Sequence, residues 1–329
     1  MRMIKMTLNG MLCAIALAAF TACANENDTD SANNVVNPKS KTLRNLVFNA
    51  EFAEYAHQED GPTKQFVGAT IVQRDTVTLS NGLRAVATLT PDMAPQTPTK
   101  ATRTLPNDTY TMEAYNGYTH ELQGKLTGKV VNGKFVSLDG REDIVLEHDY
   151  YHFLLYNSKL YRQDGVLMIN RANADDAFVG YVSEIIKYEP KRQIVLFPMK
   201  RKGVRLKMKI TGSEAFGPIT ATLSNANSEG LPASLKYELR NNIWKTATKS
   251  AFAQPVSFGR SGQTAGNNAH FALANEYTYL LFTTNASDLK IKFNSGTIYG
   301  EDITGAELQF KNLEFDVNGS YVLNVELAK

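Results

Sequence analysis

Apolar and polar residues alternate with a period of two from one end of the chain to the other, the period of β-strands with one buried face. Leu46, Phe48, Ala50 and Phe52 alternate with Val47, Asn49 and Glu51, and Tyr110, Met112 and Ala114 with Thr109, Thr111 and Glu113. In the sharpest case Val204, Leu206, Met208 and Ile210 are interleaved with Arg205, Lys207, Lys209 and Thr211, giving a strand one apolar and one strongly basic face. Leu235, Tyr237 and Leu239 repeat the pattern, as do Leu289, Ile291 and Phe293, and the chain closes on Tyr321, Leu323, Val325 and Leu327. Between these segments lie Ser80-Asn81-Gly82, Asn132-Gly133, Asp139-Gly140, Asp164-Gly165, Asn294-Ser295-Gly296 and Asn318-Gly319, which supply the positive φ of tight hairpins. Helical periodicity is confined to Asn173 to Val179. The pattern predicts an all-β protein of antiparallel sandwiches.

The N-terminus reads as an address. Arg2 and Lys5 precede the apolar run Met11 to Ala19, which is too short to cross a bilayer of about 30 Å. It ends in Phe20-Thr21-Ala22-Cys23, which resembles the bacterial lipobox, with Phe20 where Leu is usual. Residues 1–22 are then a cleaved lipoprotein signal peptide. The Cys23 thiol would carry diacylglycerol, and with two or three palmitate-like acyl chains at about 0.8 kcal/mol per buried CH₂ the anchor is effectively permanent. The competing reading is an ordinary signal peptide with an incidental Cys. The chain has only two Cys, Cys13 and Cys23, so the mature protein keeps no pair for a disulfide and no thiol ligand. Residues 23–44 follow as lipidated Cys and polar, acidic tether or propeptide. Acids just past the lipidated Cys resemble an export signal to the outer face of the outer membrane, with a generic solvated tether as the alternative, and Asp30-Ser31-Ala32 resembles a short O-glycosylation sequon.

The chain has 35 bases and 33 acids; loss of the signal removes Arg2 and Lys5 and leaves 33 of each. A neutral chain is a poor partner for nucleic acid through bulk charge. About 285 residues remain after the tether, more than one sandwich usually needs, so two domains are expected, 45–190 and 191–329, with the border near Glu189-Pro190-Lys191-Arg192. Pro91 to Thr99, rich in Pro and Thr, reads as an exposed loop.

Candidate chemistry is sparse. His148 and His152 are four apart, which suits a metal only on a helix, and their surroundings read as a strand, where such positions lie about 13 Å apart. His57, His120 and His270 stand alone. Gly124-Lys125-Leu126-Thr127-Gly128-Lys129 lacks the spacer and hydroxyl of a nucleotide loop and reads as part of a hairpin. Asp175-Asp176 and Glu142-Asp143 lack further ligands at a calcium-loop spacing. There is no Gly-x-Ser-x-Gly elbow. The sequence therefore predicts no catalytic, cofactor-binding or metal site, and a protein that is not an enzyme. The basic run Lys200-Arg201-Lys202 with Arg205, Lys207 and Lys209 reads as a solvated strand face or an electrostatic face for a neighbouring subunit.

Four features, in this order, resemble the fimbrillin family of Bacteroidia-type pili, also called fimbrillin-like or Mfa-like. They are the lipobox at Cys23, Leu105 to Tyr115, Phe197 to Thr211, and Asn318 to Leu327. The resemblance implies two transthyretin-like β-sandwiches and a cell-surface stalk or accessory subunit of a fimbrium, exported as an outer-membrane lipoprotein. Its partners would be other fimbrial subunits, with any host or bacterial receptor left open. In the family's stalk subunits a trypsin-like protease cuts after an Arg, and the groove left behind accepts a donor strand from the next subunit. Arg44 stands where that cut would fall, with Arg103 as a weaker candidate; an ordinary exposed Arg before a strand is the alternative. Tyr321, Leu323, Val325 and Leu327 are the candidate donor residues. Each such side chain buried contributes roughly 1.5–3 kcal/mol, against about 1 for a backbone hydrogen bond.

The rival reading is a surface glycan-binding lipoprotein of a nutrient-uptake system. It needs exposed aromatic platforms, and the single Trp, Trp244, is a weak candidate that reads better as core.

Overall fold

The computed structural model describes residues 46–55, 73–79, 81–92, 108–138, 144–187, 192–263, 269–282 and 284–329. Cys23, the acidic tether, Arg44, Arg103 and Met93 to Thr99 lie outside the described residues. The strands are β1 (Leu46–Phe52), β2 (Gln73–Thr78), β3 (Arg84–Pro91), β4 (Tyr110–Asn116), β5 (Leu122–Val131), β6 (Lys134–Ser137), β7 (Tyr150–Asn157) and β8 (Leu160–Gln163). They continue as β9 (Val166–Asn170), β10 (Phe178–Ile185), β11 (Gln193–Arg201), β12 (Gly203–Gly212), β13 (Thr220–Asn225), β14 (Leu231–Glu238), β15 (Ile243–Ser250) and β16 (Ala253–Ser257). The last are β17 (Arg260–Gln263), β18 (His270–Leu273), β19 (Thr278–Leu281), β20 (Leu289–Ser295), β21 (Thr297–Ile298), β22 (Glu301–Asp302), β23 (Glu307–Leu308) and β24 (Ser320–Ala328). Among the described residues the only helical turns are short 3₁₀ segments, one of them at Arg171–Asn173, at the edge of the stretch with helical periodicity.

Seven strands close a barrel in the order β1-β11-β10-β7-β4-β5-β6. The alternation read from sequence sets its interior: Phe48 and Ala50 from β1, Met112 and Ala114 from β4, Phe153 and Leu155 from β7, and Val195, Phe197 and Met199 from β11 share one core. Phe48 sits at the middle of it, with ring centroids 5.9 Å from Phe153 and 6.2 Å from Phe197. The Asn132-Gly133 hairpin between β5 and β6 has both residues at positive φ, 50° and 75°.

A second core lies between the sheet β17-β18-β12-β24-β3-β2, with β19 also on β12, and the sheet β16-β13-β20-β23. The buried alternates of β12 and β24 meet Ala85, Ala87 and Leu89 of β3 and Leu223, Ile291 and Phe293 of the opposite sheet in one cluster. A third sheet, β15-β14-β9-β8, shares a further cluster with the outward residues Leu154 and Tyr156 of β7 and Val179 of β10. This double coverage explains the unbroken apolar run of β7, which is buried on both faces over most of its length.

The architecture is a closed barrel joined to a sandwich, and not every pair is antiparallel: β1 runs parallel to β11 from Leu46↔Gln193 to Phe52↔Met199, and β12 parallel to β24. Hairpin signals specify neighbours in sequence, whereas these pairs join distant segments whose partners tertiary packing selects. In addition, β2 and β3 pair into the sandwich through β24, while β11 belongs to the barrel. The described strands fall in one compact unit.

The third sheet is pinned to the barrel by a buried charge. Glu113 of β4, 1 % exposed, accepts hydrogen bonds from Arg162 Nε of β8 at 3.0 Å, Tyr115 Oη at 2.7 Å and Tyr156 Oη at 3.0 Å. Burial alone would raise its carboxyl, but hydrogen bonds from Arg162 and Tyr115 and the Arg162 charge outweigh that and hold it below its ordinary value. A depressed carboxyl contributes stability above its unfolded pKa that is lost as pH falls through the folded one. Glu113→Gln is therefore expected to cost about 3 kcal/mol at pH 7. Urea unfolding should show that difference shrinking as the pH is lowered below about 4.3, the ordinary glutamate value.

Candidate functional site

The barrel and sandwich meet where β11 passes into β12 with only Lys202 between them. Up to Met199 the odd-numbered residues face the barrel core; from Val204 the even-numbered ones face the sandwich core. The phase changes across Arg201-Lys202-Gly203, and a Cβ on Gly203 would lie 2.4 Å from the Ala174 carbonyl oxygen, so glycine is required there.

Arg201, 4 % exposed, donates to the Asp175 carbonyl at 2.7 Å and the Ala53 carbonyl at 3.3 Å. Its guanidinium lies 4.3 Å from the Phe178 ring centroid and 4.2 Å from that of Tyr55, whose hydroxyl donates to Asp175. Arg205 lies 4.2 Å from the same Tyr55 ring and 4.5 Å from that of Tyr277, and Lys207 stands 4.8 Å from Tyr277. Lys209 is 5.3 Å from the Phe271 ring. The basic face, read from the sequence as solvated or as an electrostatic face for a neighbouring subunit, forms an intramolecular ladder of cations and rings, each contact contributing about 0.5–2 kcal/mol. Tyr55, Phe271 and Tyr277 are too remote in sequence for the periodicity to reveal it. Asn318 completes the joint: its side chain accepts from the Arg201 N–H at 3.2 Å and donates to the Glu54 carbonyl at 2.7 Å. Burial, followed by repulsion from Lys200, pushes the Lys202 ammonium down to about 8.

The candidate donor strand is β24, with Tyr321, Leu323, Val325 and Leu327 all buried in the sandwich core. It is paired on both sides, with β12 and β3. Aspartates at Leu323 and Val325 would put charges into this core, so they would disrupt folding whether or not the strand is ever exchanged.

A different surface is open. Residues of β1 are paired with β11 along the whole strand, but β6 is joined to β1 by the single pair Asn49↔Lys134, with Ala50 N–H donating to the Gly133 carbonyl at 2.7 Å. Around this short seam the outer surface carries Val131, Val136 and Leu138 on and beside β5 and β6, at 46–56 % exposure, and Ile194 and Leu196 on β11, at 57 % and 43 %.

His152 lies on β7 facing outward, 8 % exposed, with Nδ1 2.9 Å from Ser183 Oγ and 2.7 Å from Tyr181 Oη. His120, which the sequence left alone, stacks on it at 5.4 Å between centroids and 10° between planes. Trp244 is half-buried against Tyr237 at 5.1 Å and helps seat the third sheet. Among the described residues no group of three His, Cys, Asp or Glu is placed to hold a metal ion.

No protein-family model matches the chain, and no curated protein matches it. It is similar to the solved structure of a proposed cell adhesion protein of Bacteroides fragilis at 15 % identity and TM-score 0.39, covering 87 % of this chain and 93 % of that one. A proposed cell adhesion protein of Bacteroides ovatus aligns at 9 % identity and TM-score 0.42, over 88 % and 97 %. The fimbrial anchor protein Mfa2 of Porphyromonas gingivalis aligns at 8 % identity and TM-score 0.32, over 75 % and 77 %. With scores this low, function has to be read from the chain's own residues.

Arg201→Ala is expected to destabilise the protein by about 2–4 kcal/mol in urea unfolding, since it leaves the Asp175 and Ala53 carbonyls without this donor and opens the ring stack. Arg201→Lys should recover little of this, because an ammonium cannot stack between two rings while donating sideways to two carbonyls.

Proposed function

We propose that the chain is a structural or adhesive subunit of a cell-surface fimbrium, delivered to the outer membrane as a lipoprotein through Cys23 and acting without a catalytic residue, cofactor or metal. The observation that carries this reading is the barrel seam. A short, barely zipped strand junction rimmed by exposed Val131, Val136, Leu138, Ile194 and Leu196 suits an extended segment of a neighbouring subunit, with backbone pairing for affinity and apolar side chains for burial. Cleavage after Arg44 would leave Asn45 as the new N-terminus, one residue in sequence before β1, the strand that forms one side of the seam.

The reading is tested with the unlipidated chain from Ala24 onward, treated with trace trypsin while the new N-terminus and the particle size are followed. Cleavage after Arg44 with growth into SDS-resistant ladders is expected. The exposed pair Val136→Lys and Ile194→Lys should abolish the ladders with little change in melting temperature. A monomer that never polymerises, or ladders indifferent to both lysines, would contradict it.

A further inference from the structure

Beyond the edge of the third sheet, the outer face of the barrel carries an aromatic strip that no core claims. Leu154 and Tyr156 of β7 are covered by that sheet, whereas Tyr150 on the same face lies outside the cluster. The turn after β4 brings Tyr118 beside it: the two ring centroids are 5.7 Å apart, and Tyr118 is 74 % exposed, the most exposed large hydrophobic side chain among the described residues.

This exposure is built in. Asn116 Oδ1 accepts the backbone N–H groups of Tyr118 at 2.9 Å and Thr119 at 3.0 Å, while its Nδ2 donates to Asp149 Oδ2 at 2.9 Å. Gly117 donates to the Tyr150 carbonyl at 2.7 Å, and a Cβ at Gly117 would fall 2.1 Å from the Tyr150 ring, so the ring packs against bare backbone. Two adjoining open cavities, about 490 and 510 Å³, share Tyr150 and Ile185 as a common floor. Tyr118, His148 and Asp149 border one; Ser183, Glu184, Lys187 and Gln193 border the other.

The exposed Tyr118 ring, with the half-buried Tyr150 and exposed Ile185 beside it and hydrogen-bonding side chains around them, matches a pyranose, which offers an apolar C–H face and a rim of hydroxyls. Asp149 already accepts two bonds, from Asn116 and from the Tyr150 N–H at 2.8 Å, and a carboxylate has about four acceptor positions. Along the groove β7 is paired on both sides, with β4 and β10, whereas β10 meets β11 only at Phe178 and Val179, away from Ser183 to Ile185. Two carboxylates against one lysine disfavour an anionic ligand. We propose that Tyr118, Tyr150 and Ile185 form the floor of a groove that binds a neutral oligosaccharide, with Asp149 and Glu184 accepting hydrogen bonds from its hydroxyls.

The inference does not depend on polymerisation. It is tested with the full chain, purified in a zwitterionic detergent, on an array of gluco-, galacto- and manno-configured neutral hexasaccharides with sialylated oligosaccharides alongside, followed by calorimetric titration of the tightest neutral binder. At least one neutral class should bind, Tyr118→Ala should weaken it about tenfold or more with an unchanged melting temperature, and Val136→Lys with Ile194→Lys should leave it intact. Binding of no neutral glycan, a preference for the sialylated ones, or affinity unchanged in Tyr118→Ala would overturn it.

Discussion

One extended run of chain, Gln193 to Gly212, has to serve two hydrophobic cores, and the rest of the molecule is arranged around that constraint. A strand can present only one parity of residues to a given side, so passing from barrel to sandwich requires the alternation to slip. The slip leaves Arg201 pointing into protein, where its charge must find compensation. Arginine suits the position because its planar guanidinium stacks between Tyr55 and Phe178 while donating sideways to the carbonyls of Ala53 and Asp175. Tyr55 then serves Arg205 on its other side, tying the segment after β1 to the sandwich strand β12.

The other long-range connections reinforce the same joint. The third sheet takes β8 and β9 from the first half of the sequence and β14 and β15 from the second, while β2 and β3 leave the first half to flank β24. Pulling on either core would therefore load strands of both. That mechanical continuity is consistent with the proposed role in a fimbrium, and it keeps the exposed apolar seam and the aromatic groove on one folded body.

The all-β character was legible in the alternation, and the individual strands at Leu46, Tyr110, Val204 and Tyr321 fall where the pattern placed them. Pairing was not legible: a hairpin is announced by Asn132-Gly133, but nothing local tells β1 to run parallel to β11. One signal was present and passed over. The apolar parity changes between Met199 and Val204, and that slip marks the passage from one core to the next. The Tyr118 and Tyr150 groove was invisible in sequence because exposure of an aromatic depends on which sheet stops short of it, and the His120 and His152 stack depends on a turn folding back over a neighbouring strand.

Interlocking of the two cores is the claim on which this account rests, and scanning calorimetry tests it directly. A single transition with equal calorimetric and van't Hoff enthalpies is predicted for the chain from Ala24 onward. Two transitions, one lost in Phe48→Ala and the other in Leu323→Ala with no effect on each other, would show that barrel and sandwich fold independently and would contradict it.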